Sequence, residues 1–449
     1  MRRATLAMLM LLAAVPLSAQ QATREPGPNV VLIITDDVGY GDLGSYGAPD
    51  IKTPNIDRLA LQGVRFTDFY SNGAVCTPTR TALISGRYQQ RFGLEQALAG
   101  SPEDRQRGLP VTGHSLPQLL KNHGYETALI GKWHLGFLPE FGPNAHGFDT
   151  FFGFLGGAID YFRHGGPKGN TTLYENKTRT DEKGYLTDII TRRSVDFINR
   201  SAKRPFFLEV AYNAAHWPFQ SPHHKPDAFA NGRPIVQFAG DELNPTRKDY
   251  AEMLERADEG VGQILAALDK QGVARNTLVI FTNDNGGEWL SRNAPLFHRK
   301  GTLWEGGIRV PAIMRWPGRV PAGKTTAQVG VTLDLTATIL AATGAPVPTD
   351  ARLDGIDLVP HIREGATLRE RTIFWRTANA RVMRAVRRGP WKLLADGQAV
   401  FLFDLSKDIG ERNDLSSIRQ DLVKDLRQKI VDWEKDVDSE FKLRTKPTQ

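Results

Sequence analysis

The apolar positions of this chain gather into short runs that stop abruptly at polar residues. Val30-Val31-Leu32-Ile33-Ile34-Thr35, Thr127-Ala128-Leu129-Ile130, Phe206-Phe207-Leu208-Glu209-Val210-Ala211-Tyr212 and Thr277-Leu278-Val279-Ile280-Phe281-Thr282 are nearly continuous in hydrophobic residues. Runs of this length without alternation read as strands buried on both faces, the texture of a parallel sheet. Helical patterns lie between them. Thr53-Pro54-Asn55 predicts a helix start, with a capping residue before a proline at the first helical position, and Gly63 is placed to end it. From about Tyr250 to Lys270, residues Met253, Leu254, Ala257, Val261, Ile264, Leu265 and Leu268 recur at helical spacing. Strand and helix in alternation predict an α/β fold around a mostly parallel sheet.

The texture changes at Arg371. Thr372-Ile373-Phe374-Trp375, Val382 to Val386, Trp391-Lys392-Leu393-Leu394 and Val400-Phe401-Leu402-Phe403 are short and closely spaced, as in an antiparallel sheet. A polar turn, Lys407 to Asn413, precedes a terminal helix expected from Ile418 to about Lys435. The predicted organisation is a catalytic α/β domain over residues 25–370 and a small sheet-and-helix subdomain over 371–449.

The first residues follow another pattern. Arg2 and Arg3 precede an apolar run from Leu6 to Val15, and small residues end near Ala19. This is the layout of a signal peptide over residues 1–19, too short to span a bilayer, and it predicts a periplasmic or extracellular protein. No other stretch is long and apolar enough for a transmembrane helix. The net charge of +7, from 57 Lys+Arg and 50 Asp+Glu, is not gathered into a basic run, so nucleic acid is not an expected partner. Composition otherwise matters at one point. The chain has one cysteine, Cys76, and so can form no internal disulfide in an oxidising compartment.

In open parallel sheets, ligands bind beyond the carboxyl ends of the strands. The four runs end in Asp36-Asp37, in Gly131-Lys132-Trp133-His134, in Asn213-Ala214-Ala215-His216 and in Asn283-Asp284-Asn285-Gly286. Any one alone reads as a turn or cap. Together at one sheet edge they read as a site. Asp36, Asp37, Asp284 and Asn285 offer hard oxygen donors, which suit Ca²⁺ or Mg²⁺ rather than zinc. Cys76-Thr77-Pro78-Thr79-Arg80 places the cysteine at a helix N-terminus, with Arg80 one turn on. By these residues alone Cys76 is either a low-pKa thiol at an anion site or a helix cap.

At this motif the chain resembles the sulfatase family, in which a maturation enzyme oxidises the cysteine to formylglycine. The likeness rests on Cys76-Thr77-Pro78-Thr79-Arg80 with Ala82-Leu83-Ile84-Ser85-Gly86-Arg87, and on the polar strand ends above. It continues through Lys300-Gly301-Thr302-Leu303-Trp304-Glu305-Gly306-Gly307-Ile308-Arg309 and Leu402-Phe403-Asp404-Leu405. The resemblance implies a large, mostly parallel sheet sandwiched by helices, as in alkaline phosphatase. It also implies one calcium ion held by Asp36, Asp37, Asp284, Asn285 and the modified Cys76. The hydrated aldehyde would attack sulfur with one hydroxyl and expel sulfate with the other. Arg80 and Lys132 would stabilise the formylglycine, His134 would take a proton from it, and His216 and Lys300 would hold the sulfate and protonate the leaving oxygen. His298 and Arg299 are neighbouring cationic alternatives to Lys300. Asp160, Tyr161 and His164 are candidate substrate contacts, alongside the plain alternative of a packed aromatic loop.

The implied substrate is a sulfated small molecule or glycan, as in N-acetylgalactosamine-sulfate and aryl sulfatases; oligomeric state is left open. Two other readings stand beside it. A phosphonate or phosphodiester hydrolase of the same superfamily would carry a histidine where Asn285 stands. A silent binder of sulfated glycans would keep Cys76 as a thiol. If the leader is cut as expected, amino-terminal sequencing of exported protein will begin at or near Gln20, whereas an intact Met1 would remove the leader.

Overall fold

The four apolar runs lie side by side in one sheet because neither face of any of them could be left in water. The computed structural model describes residues 27–165, 172–224, 245–378 and 382–444, so the leader is outside the described residues. The strands in chain order are β1 (Asn29–Thr35), β2 (Val64–Phe66), β3 (Phe69–Tyr70), β4 (Glu126–Lys132), β5 (Thr150–Phe154), β6 (Leu173–Glu175), β7 (Thr178–Thr180) and β8 (Phe206–Ala211). They continue with β9 (Thr277–Asn283), β10 (Ala312–Arg315), β11 (Lys324–Thr326), β12 (Gly330–Val331), β13 (Thr372–Arg376), β14 (Met383–Arg388), β15 (Trp391–Asp396) and β16 (Ala399–Asp404). The helices are α1 (Pro54–Leu61), α2 (Cys76–Ser85), α3 (Pro102–Arg105), α4 (Leu116–Asn122), α5 (Leu186–Ser201), α6 (Arg247–Lys270), α7 (Glu305–Ile308), α8 (Leu333–Thr343), α9 (Val359–Ile362) and α10 (Gln420–Arg444).

The main sheet has ten strands in the order β11-β2-β10-β9-β1-β8-β4-β5-β6-β7. Its centre, β9-β1-β8-β4-β5, is parallel throughout. Antiparallel pairings appear only towards the two edges. Side chains alternate across β1. Val31 and Ile33 pack with α1, α5 and α6 on one face, while Val30, Leu32 and Ile34 pack with α2, α4 and α8 on the other. Helices on both faces thus bury both sides of the central strands, as the unbroken apolar runs require. Because β9, β1, β8 and β4 are neighbours and parallel, their carboxyl ends share one edge of the sheet.

The strands β13 to β16 form a separate antiparallel sheet, with α10 laid across it through Leu426, Ile430, Trp433 and Val437. The terminal helix runs beyond the expected Lys435 to Arg444. Beyond Lys435 its turns are held by ion pairs as well as by Val437: Arg87 pairs with Glu440 at 2.7 Å, and Arg91 with Asp436 at 2.6 Å. The start of α1 also differs from expectation. Thr53 makes no side-chain cap. The cap comes from across the fold, where the Asp258 carboxylate of α6 accepts from the backbone N–H of Asn55 and of Ile56 at 3.1 and 2.8 Å.

One glycine is indispensable to the geometry that follows. Gly131 immediately precedes Lys132, has φ +121°, and a Cβ there would sit 1.9 Å from the Ala211 carbonyl oxygen of β8. An added methyl could not fit without parting the two central strands. Gly131→Ala should therefore cost about 3 kcal/mol or more and appear as a lowered melting temperature. An unchanged melting temperature would show that the strands yield.

Candidate active site

The carboxyl ends of four central strands deliver the predicted polar residues to one buried cluster. Asp36 and Asp37 follow β1, Lys132 ends β4, and Asp284 and Asn285 follow β9, while Asn213 to His216 follow β8. Cys76 opens α2, which packs under this edge, and the whole ten-residue helix is buried. The resulting contacts are specific. Cys76 Sγ lies 3.7 Å from Asp36 Oδ1 and 3.3 Å from Lys132 Nζ, and Lys132 Nζ also donates to Asp36 Oδ2. Arg80 donates to Asp284 Oδ2 from Nε at 3.1 Å and Nη2 at 2.9 Å. Its Nη1 donates to the Lys132 carbonyl at 3.2 Å, so one guanidinium ties α2 to both β4 and β9. Lys300 donates to Asp37 at 2.7 Å, and His216 Nε2 stands 3.5 Å from Asp37 Oδ2.

Three aspartates and three permanent cations therefore neutralise one another formally in a space withdrawn from water. The electrostatics follow from that balance. Burial alone would raise the Asp37 carboxyl, but the Lys300 charge, with hydrogen bonds from Lys300 and Asn285, outweighs it and holds it at about 2. Asp284 goes the other way. Burial and the neighbouring Asp36 push it up to about 6 despite Arg80. His216 is depressed to about 3 by burial and Lys300, and His134 falls well below the usual histidine range through burial and Lys132. Cys76 corrects one expectation. Burial, reinforced by Asp36, pushes the thiol up to about 12, beyond what Lys132 and Lys300 offset. The helix N-terminus does not make it a low-pKa thiol.

Hydrogen-bond partners decide the histidine tautomers. His134 Nε2 faces the Leu98 carbonyl at 3.0 Å, so that nitrogen carries the proton and Nδ1, buried without a partner, is left as an acceptor. His216 Nδ1 faces the Trp217 carbonyl at 2.6 Å. A neutral His216 then presents a bare Nε2 to a carboxylate oxygen. Positive charge is needed between them.

That need bears on the metal. Ligand atoms of Asp36, Asp37, Cys76 and His216 all lie within 4.8 Å of one another, and Asp284 Oδ1 and Asn285 Oδ1 are buried with no hydrogen-bond partner. Unsatisfied buried oxygens beside a carboxylate cluster fit a hard divalent cation, and calcium suits an oxygen set of this size. The encoded thiol is the one soft member, which an oxygen-bearing replacement at position 76 would correct. With a divalent cation added, the formally neutral cluster becomes net positive and complementary to an anionic ester.

Of the three adjacent cationic candidates, Lys300 is bonded to the cluster through Asp37. Arg299 turns outward to Glu288 at 3.5 Å, and the His298 ring lies edge-on to Phe297. The side chains of Lys300 and His216 are each 14% exposed, whereas those of Lys132 and Asp36 are sealed, so the site opens on the Lys300 and His216 side. Asp160, Tyr161 and His164 are buried in the neighbouring loop, where they bond both within it and to the segments around it. Asp160 accepts from the Phe162 and Arg163 backbone and from Gln220, while His164 Nε2 meets the Gly184 carbonyl. Tyr161 is the link to the site: its hydroxyl lies 2.7 Å from the Asn213 carbonyl and 3.0 Å from that of His216.

Two residues to which the sequence assigned no role also bear on this cluster. Asn283 accepts from Thr35 Oγ1 at 2.9 Å and donates to the Val38 carbonyl at 3.0 Å, which locks the two acidic strand ends together. Glu209 is a carboxylic acid in the middle of a central strand, raised to about 7 by burial and lowered only by Arg80. A charged residue inside an otherwise apolar run was its visible signal.

A parallel α/β sheet whose strand ends gather buried acids, cations and one helix-borne cysteine defines a hydrolase for an anionic ester. The chain belongs to the sulfatase family: residues 28–345 match the sulfatase model, and residues 295–436 match the C-terminal region of N-sulphoglucosamine sulphohydrolase. Mouse N-acetylgalactosamine-6-sulfatase is 36% identical over 415 residues, covering 86% of this chain and 75% of that protein. Human arylsulfatase A is 34% identical over 457 residues, covering 89% and 85%. Among solved structures, Ps i-CgsB superposes with a TM-score of 0.81 at 35% identity, covering 91% of this chain and 92% of that one.

Replacing Asp284 by Asn keeps the shape but removes the charge opposite Arg80 and a metal oxygen. In Asp284→Asn, activity should fall by about 100-fold or more, and the rise in melting temperature on adding calcium should shrink. A wild-type response to calcium would take Asp284 out of the metal site.

Proposed function

We propose that this sulfatase removes a sulfate monoester from a sulfated carbohydrate, using formylglycine made from Cys76. The observation that carries the reading is the position of Cys76: first in a buried helix, its sulfur 3.7 Å from Asp36 Oδ1 and 3.3 Å from Lys132 Nζ, which are themselves paired. A thiol pushed up to about 12 is a poor nucleophile as encoded, which favours conversion over direct use. When bound at Asp36, Asp37, Asp284, Asn285 and residue 76, calcium supplies positive charge for the nucleophile and the sulfuryl oxygens. Hydrated formylglycine would supply one hydroxyl to attack sulfur, with departure of the alcohol, and a second whose deprotonation expels sulfate and restores the aldehyde.

The chain's own residues do the rest. Lys132 and Arg80, both buried and held by hydrogen bonds to Asp36 and to the Lys132 carbonyl respectively, form a fixed positive wall that needs no rearrangement as charge moves. His134 keeps Nδ1 as an acceptor, ready to take a hydroxyl proton. Lys300 and His216, at the open side, meet the sulfate and the leaving oxygen. Tyr161 holds the His216 backbone in place from beneath.

The carbohydrate assignment draws on relatives. One structure of Ps i-CgsB is of a complex with k-i-k-neocarrahexaose, and several mammalian relatives are N-acetylgalactosamine-6-sulfatases. The signal-peptide layout of residues 1–19 supports an enzyme of the periplasm or the cell exterior, and the proposed maturation partner is a formylglycine-generating enzyme. No helix among the described residues is long and apolar enough to cross a membrane.

Protein co-produced with a formylglycine-generating enzyme should carry the aldehyde at position 76 by tandem mass spectrometry and turn over an aryl sulfate. Cys76→Ala should lose about 1,000-fold or more of that rate. A preference for an aryl phosphonate over the sulfate would instead favour the phosphonate-hydrolase reading, which Asn285 speaks against.

A further inference from the structure

The residues between Lys300 and Arg309 stand between the active site and the C-terminal sheet, and a second buried charge cluster joins the two. Glu305, five residues past Lys300, is fully buried, and its two carboxylate oxygens divide their partners. One accepts from Tyr70 Oη at 2.7 Å and from Arg309 Nη1 at 3.0 Å. The other accepts from Lys392 Nζ of β15 at 2.8 Å. Lys392 Nζ also contacts Glu411 Oε1 at 2.8 Å, and the second Glu411 oxygen accepts from the Glu305 backbone N–H at 2.6 Å. Glu411 thus grips Glu305 twice, once through Lys392 and once directly. Arg387 of β14 closes the cluster on Asp68 at 2.6 Å, and Arg309 meets the same carboxylate at 3.0 Å.

None of these groups lies in the sulfate site, yet their backbone neighbours do. Tyr70 ends β3, six residues before Cys76. Lys300 N donates to Gly287 O at 3.2 Å, and Gly301 N donates to Ala74 O at 2.8 Å, so the Lys300 turn is stitched to the segments leading to Asn285 and Cys76. On its outer side the same turn leans on β16, where Trp304 packs against Phe401 and Phe403 at ring distances of 5.3 and 5.7 Å. A lysine fully sealed from water between two glutamates is an expensive way to add stability, since apolar side chains of similar volume fill such space at lower cost. Its directional contacts define one geometry instead.

We propose that Lys392 and Glu411, both contributed by the C-terminal subdomain, are positioning residues for sulfate-ester cleavage, fixing through Glu305 the turn that presents Lys300 to Asp37. The inference rests on the reading of Lys300 as a sulfate-site residue. Without the Lys392 ammonium the two buried acids lose the cation that joins them and must share a proton or part, which displaces the turn. Replacing Glu411 by Gln as well removes that demand, since the amide oxygen can still accept from the Glu305 backbone N–H.

The test uses full-length enzyme carrying formylglycine, with its content measured by mass spectrometry and folding checked by melting temperature. Lys392→Met should lower kcat per formylglycine on an aryl sulfate at least tenfold, and Lys392→Met with Glu411→Gln should recover at least threefold of that loss. A purely structural role predicts a lower melting temperature with kcat per formylglycine within twofold of wild type, and that result overturns the proposal. A fall in kcat that the second substitution does not reverse overturns it too. If Lys392→Met does not fold, Glu411→Gln alone serves: at least a threefold fall in kcat supports the proposal and an unchanged kcat overturns it. Lys300→Ala is run in parallel, and wild-type activity there would overturn the reading of the site itself.

Discussion

Three carboxylates gathered in a space closed to water cannot remain ionised unless cations are threaded between them. Asp36, Asp37 and Asp284 meet that constraint through Lys132, Lys300 and Arg80, each placed against a particular aspartate. At low effective dielectric, unit charges this close interact by several kcal/mol, so the loss of any one member would redistribute protons among the rest. The sheet, the helix that carries Cys76 and the turn that carries Lys300 each hold one part of this arrangement. It is formally neutral as encoded. A divalent cation makes it positive, which is the state that draws in an anionic ester.

The same balance explains the cysteine. A helix N-terminus ordinarily lowers a thiol pKa. Here desolvation and the nearby Asp36 oppose the helix and win, leaving a thiol that stays protonated. A residue with little acid–base use of its own, set beside hard oxygen ligands, is well suited to being chemically replaced. Position 76 is thus defined by its surroundings more than by the side chain the gene encodes.

The C-terminal sheet is tied to the chemistry by charge as well as by apolar contact. Lys392 enters from β15 with no exposure and finds Glu305, while Arg387 enters from β14 and finds Asp68. These contacts reach the catalytic domain at the segments on either side of the active site. The α10 helix adds an outer clamp, with Arg376 pairing with both Glu95 and Asp438 at 2.8 Å.

Much was legible in the chain as written. Unbroken apolar runs can be stable only when covered on both faces, so they specified central parallel strands, and the polar residues ending them marked one catalytic edge. Cys76, its Pro78 and Arg80 carried the family resemblance, and the four strand-end motifs named the polar residues that the fold gathers at one edge. Other features could not be read in this way. The cap on α1 comes from Asp258, some two hundred residues away. The choice of Lys300 over His298 and Arg299 depends on which side chain the turn aims at Asp37. The partners of Asp160, Tyr161 and His164, which include Gln220, the His216 carbonyl and the Gly184 carbonyl, lie far along the chain. Periodicity and motif record what a residue's neighbours in the chain demand of it. Desolvation, charge pairing and tautomer depend on neighbours in space, and for Cys76, His134 and Glu305 only the tertiary structure brings those neighbours together.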